Sequence, residues 1–131
     1  MNAALLNYFD AFEVRLLQSS AVVRYQILRK EVSPSDGKIR VKAALHEGGE
    51  LEFFEYVVVI RDKIQIMKYS YHWQNADGAL KRRWDNAPHY PHLPNAPHHI
   101  HEANGEVREN SIASGFFAVI AEIENSLPRS K

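Results

Sequence analysis

Five of the seven histidines and four of the six prolines fall within residues 86–102, NAPHYPHLPNAPHHIHE. Imidazoles titrate near neutral pH, so a cluster of them can pass protons, attract anions when charged, or ligate a metal when neutral. Pro88, Pro91, Pro94 and Pro97 recur every third residue, the period of a polyproline II helix. His89, His92, Asn95 and His98 share that period, and in such a helix successive members stand roughly 9 Å apart at about 3.1 Å per residue. The spacing predicts a rigid arm bearing separate imidazoles rather than a preformed metal cage, because zinc holds nitrogen ligands at about 2.0 to 2.1 Å. His99 and His101 differ: if the chain extends after Pro97 they point to one side, a spacing that metal sites use. A blander reading leaves all five as solvated loop side chains stacked on proline rings.

The residues before the arm sharpen the chemistry. KRRWDN places Lys81, Arg82 and Arg83 on the approach, with Asp85 and Asn86 at its root. Metal-free cleavage of a phosphodiester needs a base, an acid and a cation for the developing phosphorane charge. His89, His98, His99 and His101 are the acid–base candidates, Asp85 an orienter, and Arg83, aided by Arg82, the cation. The alternative for Asp85 is an Asx turn, its side chain bonding backbone two residues on; Asn86, Pro94 and Pro97 would then shape the site. Lys68, Lys81, Arg82, His72 and Tyr71 are candidates for holding RNA, since the stretch from Arg61 to Arg83 is net positive and carries aromatic residues between its cations. The competing reading of Tyr69, Tyr71 and Trp73, alternate residues on one strand face, is core packing.

These groups need a scaffold. Leu5, Leu6, Phe9, Phe12, Leu16 and Leu17 have helical spacing between Asn2 and Gln18. From Ala21 the period becomes two: VVRYQILRK, KIRVKAAL, LEFFEYVVVI, IQIMKYSYHW and LKRRWDN read as five strands joined by turns too short for parallel crossovers, the first through the Asp-Gly of SPSDGK. EANGEVREN after the arm reads as a loop with at most a short extended piece. Ile112, Phe116, Val119, Ile120 and Ile123 restore helical spacing, with Ser111 as N-cap and Pro128 as the stop. The expectation is a single α+β domain over residues 1–131: an antiparallel meander sheet of about five strands, one face covered by an N-terminal and a C-terminal helix.

Composition removes several function classes. With no cysteine there is neither a disulfide framework nor thiol chemistry, and a transition metal would need nitrogen and oxygen ligands. No Gly-rich phosphate loop and no serine in a nucleophile elbow is present, and the acidic residues show no paired-carboxylate pattern. Formal net charge is zero, so the molecule as a whole predicts no nucleic-acid or membrane partner, whatever a local field does. Asp10 and Glu13 interrupt the apolar start before a signal core or membrane span forms; the expected location is the cytoplasm.

The run YSYHWQNADGALKRRWDNAPHYPHLPNAPHHIHE resembles the TumE-like toxins of bacterial and archaeal two-gene toxin–antitoxin modules. Tyr69, Tyr71, His72, Asp77, Gly78, Arg83, Asp85, Asn86, His89, Pro94, Pro97, His98, His99 and His101 carry the resemblance, the Asp-Asn pair and the His-His-x-His ending most distinctively. It implies a small toxin whose partner is a cognate antitoxin, commonly a DNA-binding helix-turn-helix protein encoded beside it. Many such toxins cut RNA, which favours a metal-independent ribonuclease with no cofactor. Two alternatives stand beside it: a hydrolase or metal-binding protein in which His99 and His101, with His98 or Asp85, hold a divalent metal, and a non-catalytic interaction protein presenting the arm. Exposed edges of the meander also offer pairing between two copies as a homodimer.

Overall fold

A computed structural model describes residues 3–110 and 115–127. Helix α1 (Ala3–Gln18) is followed by β1 (Val22–Val32), β2 (Asp36–Leu45), β3 (Glu50–Ile60), β4 (Lys63–Gln74), β5 (Leu80–Asp85), β6 (His99–Glu102) and β7 (Val107–Glu109), and by α2 (Phe116–Ser126). The strands form one antiparallel sheet whose spatial order is the chain order. The α+β meander is as expected, with seven strands instead of about five. The two additional ones, of four and three residues, lie in and just after the histidine segment and are too short to show a two-residue period.

One face of the sheet carries the core. Ile39, Val41 and Ala43 of β2, Leu51, Phe53 and Val57 of β3, and Tyr69, Tyr71 and Trp73 of β4 alternate inward against Leu5, Phe9, Phe12 and Leu16 of α1 and Phe116, Val119, Ile120 and Ile123 of α2. The α1 stripe is narrower than the spacing suggested, since Leu17 is 73% exposed. Phe12 packs at 4.7 Å from Phe116 and edge-on at 5.6 Å from Phe53, so aromatic packing joins both helices to the central strand.

The first hairpin does not turn at Asp-Gly: Val32 pairs with Gly37, and Ser33 N–H bonds Asp36 O at 2.9 Å. Gly37 is instead a core position, where a Cβ would come within 2.8 Å of the Phe9 ring. The expected N-cap Ser111, the stripe residue Ile112 and the helix stop Pro128 lie outside the described residues. No helix among the described residues covers the other face of the sheet, which carries Lys38, Arg40, Lys42, Glu50, Glu52, Tyr56, Lys68, Ser70, His72, Arg83 and Asp85. No helix among the described residues is long and apolar enough to cross a membrane.

Candidate active site

Antiparallel register assembles the cluster. Ser70 pairs with Asp85 and Asp85 with His99, while His72 pairs with Arg83 and Arg83 with His101. Residues two apart on a strand share a face, so Arg83 and Asp85 of β5 stand beside His101 and His99 of β6 on the open face. Asp85 is 5% and His99 1% exposed; Arg83 and His101 are half-buried.

Asp85 holds the centre. Its Oδ1 accepts the backbone N–H of Ala87 at 3.0 Å, and its Oδ2 accepts Arg83 Nε–H at 3.0 Å. His101 Nε2 lies 3.4 Å from Oδ2 and His99 Nε2 2.8 Å from Oδ1. The two sequence readings of this residue are therefore compatible: the carboxylate closes an Asx turn and faces two imidazoles and a guanidinium together. His99 Nδ1 lies 2.8 Å from the carbonyl oxygen of Pro97, which can only accept, so Nδ1 carries the proton there. Its Nε2 approaches Asp85 off the line of a hydrogen bond and is buried without an aligned partner. Burial lowers the proton affinity of His101 below the ordinary histidine value, an effect that Asp85 opposes and His99 and Arg83 reinforce. Its ring is thereby kept in the neutral form that acts as base or ligand. The nearest ligand atoms of Asp85, His99 and His101 all lie within 4.8 Å of one another, a spacing a small divalent cation could bridge.

The arm is not polyproline II. Leu93 N–H bonds Tyr90 O, Ala96 N–H bonds Leu93 O and His98 N–H bonds Asn95 O, each at 3.2 Å, so the three-residue repeat is a chain of tight turns. Pro91 and Pro94 take the second position that favours proline, Asn95 adopts the left-handed φ of +61° that a type II turn needs in its third position, and Pro97 follows a cis peptide in the last turn. The turning chain lays Tyr90 over the imidazoles, its ring 4.8 Å from His99 and 5.9 Å from His101. Asn95 Nδ2 ties the arm to Asn110 O at 2.6 Å. Asn86 finishes the scaffold, its Oδ1 accepting Tyr69 N–H and its Nδ2 donating to Met67 O.

Other expected site residues are placed elsewhere. His98 points to the helix-covered side, where its ring stacks on Tyr69 and its Nδ1 lies 2.9 Å from the Tyr69 hydroxyl. His89 is exposed and makes no hydrogen bond, ion pair or ring contact with the cluster. Tyr71 cannot stack on a base: it is fully buried and donates to Glu55 Oε2 at 2.5 Å, so the core-packing reading of the aromatic row holds. Arg82 faces the helices and is neutralised by Glu102 at 2.8 Å and Glu122 at 2.7 Å. The Lys81 ammonium sits 4.2 Å over the Trp73 ring. Lys68 and His72 do lie on the open face, and His72 Nδ1 is 3.4 Å from Arg83 Nη1.

Two groups escaped the sequence reading. Tyr90 gave no periodic signal. Glu55 did: it occupies a core-facing position between Phe53 and Val57, and it is fully buried. Its carboxylate accepts Tyr8 at 2.6 Å, Tyr71, and the backbone N–H of Phe116, the first residue of α2. Burial nevertheless raises its pKa, the hydrogen bonds offsetting only part of the desolvation.

The protein is thus an α+β fold with a cluster of two imidazoles, a carboxylate and a guanidinium on its open face. The sequence pattern of the toxin TumE family matches residues 12–127, most of the chain. The chain belongs to that family: it is a toxin component of a toxin–antitoxin module, and an antitoxin is its partner. No curated protein and no solved structure matches it.

Proposed function

We propose that this toxin acts on RNA as a metal-independent ribonuclease at the cluster of Asp85, His99, His101 and Arg83. The observation that carries the reading is the convergence of two imidazoles and a guanidinium on one buried carboxylate. These groups transfer protons and stabilise charge, so the nucleophile comes from the substrate, and the ribose 2′-hydroxyl supplies it. Neutral His101 takes the 2′-hydroxyl proton; the 2′-oxygen bonds to phosphorus; Arg83 stabilises the anionic phosphorane; as the bond from phosphorus to the 5′-oxygen breaks, His99, in its doubly protonated form with Nδ1–H kept on Pro97 O, gives the Nε2 proton to that oxygen. The products are a 2′,3′-cyclic phosphate and a 5′-hydroxyl end. Asp85 positions both rings, and Tyr90 closes the cluster from above. The antitoxin on this reading is a helix-turn-helix protein encoded beside the toxin, and the site of action is the cytoplasm.

A second reading puts a divalent metal between Asp85, His99 and His101. It is favoured by the unpartnered His99 Nε2, and by the Nδ1–H donated to a backbone carbonyl, as metal-bound histidines do. Incubation of the purified toxin with total RNA separates the two. The acid–base reading expects cleavage in EDTA, cyclic phosphate ends, and losses of roughly a hundredfold or more for His99→Ala, His101→Ala and Arg83→Ala. Cleavage abolished by EDTA transfers the site to the metal; no cleavage, or cleavage indifferent to all three variants, ends the ribonuclease proposal.

A further inference from the structure

The open face of the sheet carries chemistry that the cluster does not use. Cross-strand register there forms rows. Arg40 pairs with Phe54, Phe54 with Ser70, Ser70 with Asp85 and Asp85 with His99; one step along, Lys38 pairs with Tyr56 and Tyr56 with Lys68. Adjacent strands lie about 4.8 Å apart, so Arg40 stands three steps, roughly 14 Å, from Asp85 along its own row. An open groove runs between them, lined by Arg40, Lys68, Ser70, His72 and Arg83, with Glu52 in the row of His72 and Arg83 and Glu50 beside Gln74 one row beyond. The Arg40 guanidinium covers the Phe54 ring at 4.7 Å, and the Lys38 ammonium sits 5.7 Å over the Tyr56 ring.

Charge pairing gives the groove a direction. On the side of His72 and Gln74 the cations are matched: Arg40 binds Glu52 at 3.0 Å and Lys42 binds Glu50 at 3.6 Å. On the side of Tyr56 the carboxylates are Asp36, which accepts the Tyr56 hydroxyl at 2.9 Å, and Glu31, which pairs across the strands with Lys38 and is bound by Arg29; Lys68 is exposed, and neither it nor Lys38 has a carboxylate within 4 Å among the described residues. With Glu50 and Glu52 held by Lys42 and Arg40, a polyanion leaving Arg83 meets no net attraction on that side and meets Lys68 and then Lys38 on the other, while the side of the Tyr56 ring away from Lys38 and the side of the Arg40 guanidinium away from Phe54 are where unpaired bases stack. A duplex has no free base face to offer them.

We propose that single-stranded RNA runs over this face from the Asp85 cluster past Ser70 toward Tyr56, its phosphates held by Lys68 and Lys38 and its bases stacked on Tyr56 and Arg40. The track rests on the ribonuclease reading for its substrate class and replaces the buried Tyr71 by residues on the opposite face. Each phosphate contact with a single strand contributes about 0.7 to the slope of log affinity against log salt concentration.

The test measures binding of a short fluorescein-labelled single-stranded RNA to the full chain carrying His101→Ala, so that the probe survives. Adding Lys38→Glu with Lys68→Glu is expected to reduce the salt slope by about 1.4. Tyr56→Ala should weaken binding at least about fivefold. Lys42→Glu, on the acid-lined side, should leave the slope unchanged, and duplex RNA should bind more weakly than the single strand. An unchanged slope in the Lys38/Lys68 variant, or equal binding of duplex and single strand, overturns the track. Cleavage by the otherwise unaltered toxin is scored separately: binding that obeys these expectations without cleavage removes the ribonuclease and keeps the track, whereas cleavage of long RNA with KM untouched by the Lys38/Lys68 pair removes the track and keeps the ribonuclease.

Discussion

Two buried carboxylates lie back to back across one sheet, and their surroundings differ. Glu55, on the helix side, is met by two tyrosine hydroxyls and a backbone N–H, none of which changes charge near neutral pH. Asp85, on the open side, is met by a guanidinium, two imidazoles and the backbone N–H of a turn, and half-buried Arg83 and His101 link it to solvent. Glu55 joins α1, β3, β4 and α2 at one point, the arrangement of a structural fastener that also satisfies the start of α2. Asp85 gathers groups that can exchange protons and bind an anion. Burial alone does not single out a candidate for function; the partners a buried carboxylate is given do.

Substitutions can break this division. The largest effect on folding is expected at Glu55→Ala, which leaves Tyr8, Tyr71 and the Phe116 N–H without their acceptor and should lower unfolding free energy by about 3 kcal/mol in a urea titration. A loss below about 0.5 kcal/mol would mean that water serves these donors equally well. Next comes Asp85→Asn, whose amide oxygen can still accept from Ala87: stability should change by less than about 1 kcal/mol while RNA cleavage falls at least about tenfold. If instead Asp85→Asn lowers stability by about 3 kcal/mol or more while the protein that remains folded keeps its specific activity, Asp85 is a structural fastener like Glu55.

The smallest expected effect is a pH dependence, which sharpens the comparison. A carboxylate whose folded pKa lies above its unfolded value of 4.5 contributes stability that is complete below 4.5 and is lost as pH rises through the folded value. Wild type should therefore lose stability relative to Glu55→Gln as pH is raised from below 4.5 to above neutrality. A gap that stays constant would show that folding leaves the Glu55 pKa unshifted, and one that moves the other way that its hydrogen bonds outweigh burial and favour the ionised form.

The long strands were legible because ten or so residues of alternation outweigh local ambiguity; the register that joins Asp85 to His99 was not, because the expected meander ended at LKRRWDN and the four residues of β6 are too few to show a period. The opposed directions of His98 and His99 follow from adjacency in an extended chain. The form of the arm was not legible. Proline at every third residue suits polyproline II and a series of tight turns equally, and what separates them is whether the N–H groups of Leu93, Ala96 and His98 find carbonyls three residues back. That choice depends on the arm's anchorage, including the bond from Asn95 to Asn110, which the local pattern does not contain. Tyr90 was missed for the same reason. Tyr71 and Arg82 were expected at RNA because their residue types suit it, but strand alternation turns both toward the helices.

The most direct test of the account is growth arrest after induction of the toxin without its antitoxin, comparing wild type with His101→Ala at matched levels of folded protein. The assignment of toxicity to the Asp85 cluster predicts that arrest is lost in His101→Ala. Arrest at wild-type strength in that variant would contradict it and return the open face to a role in binding alone.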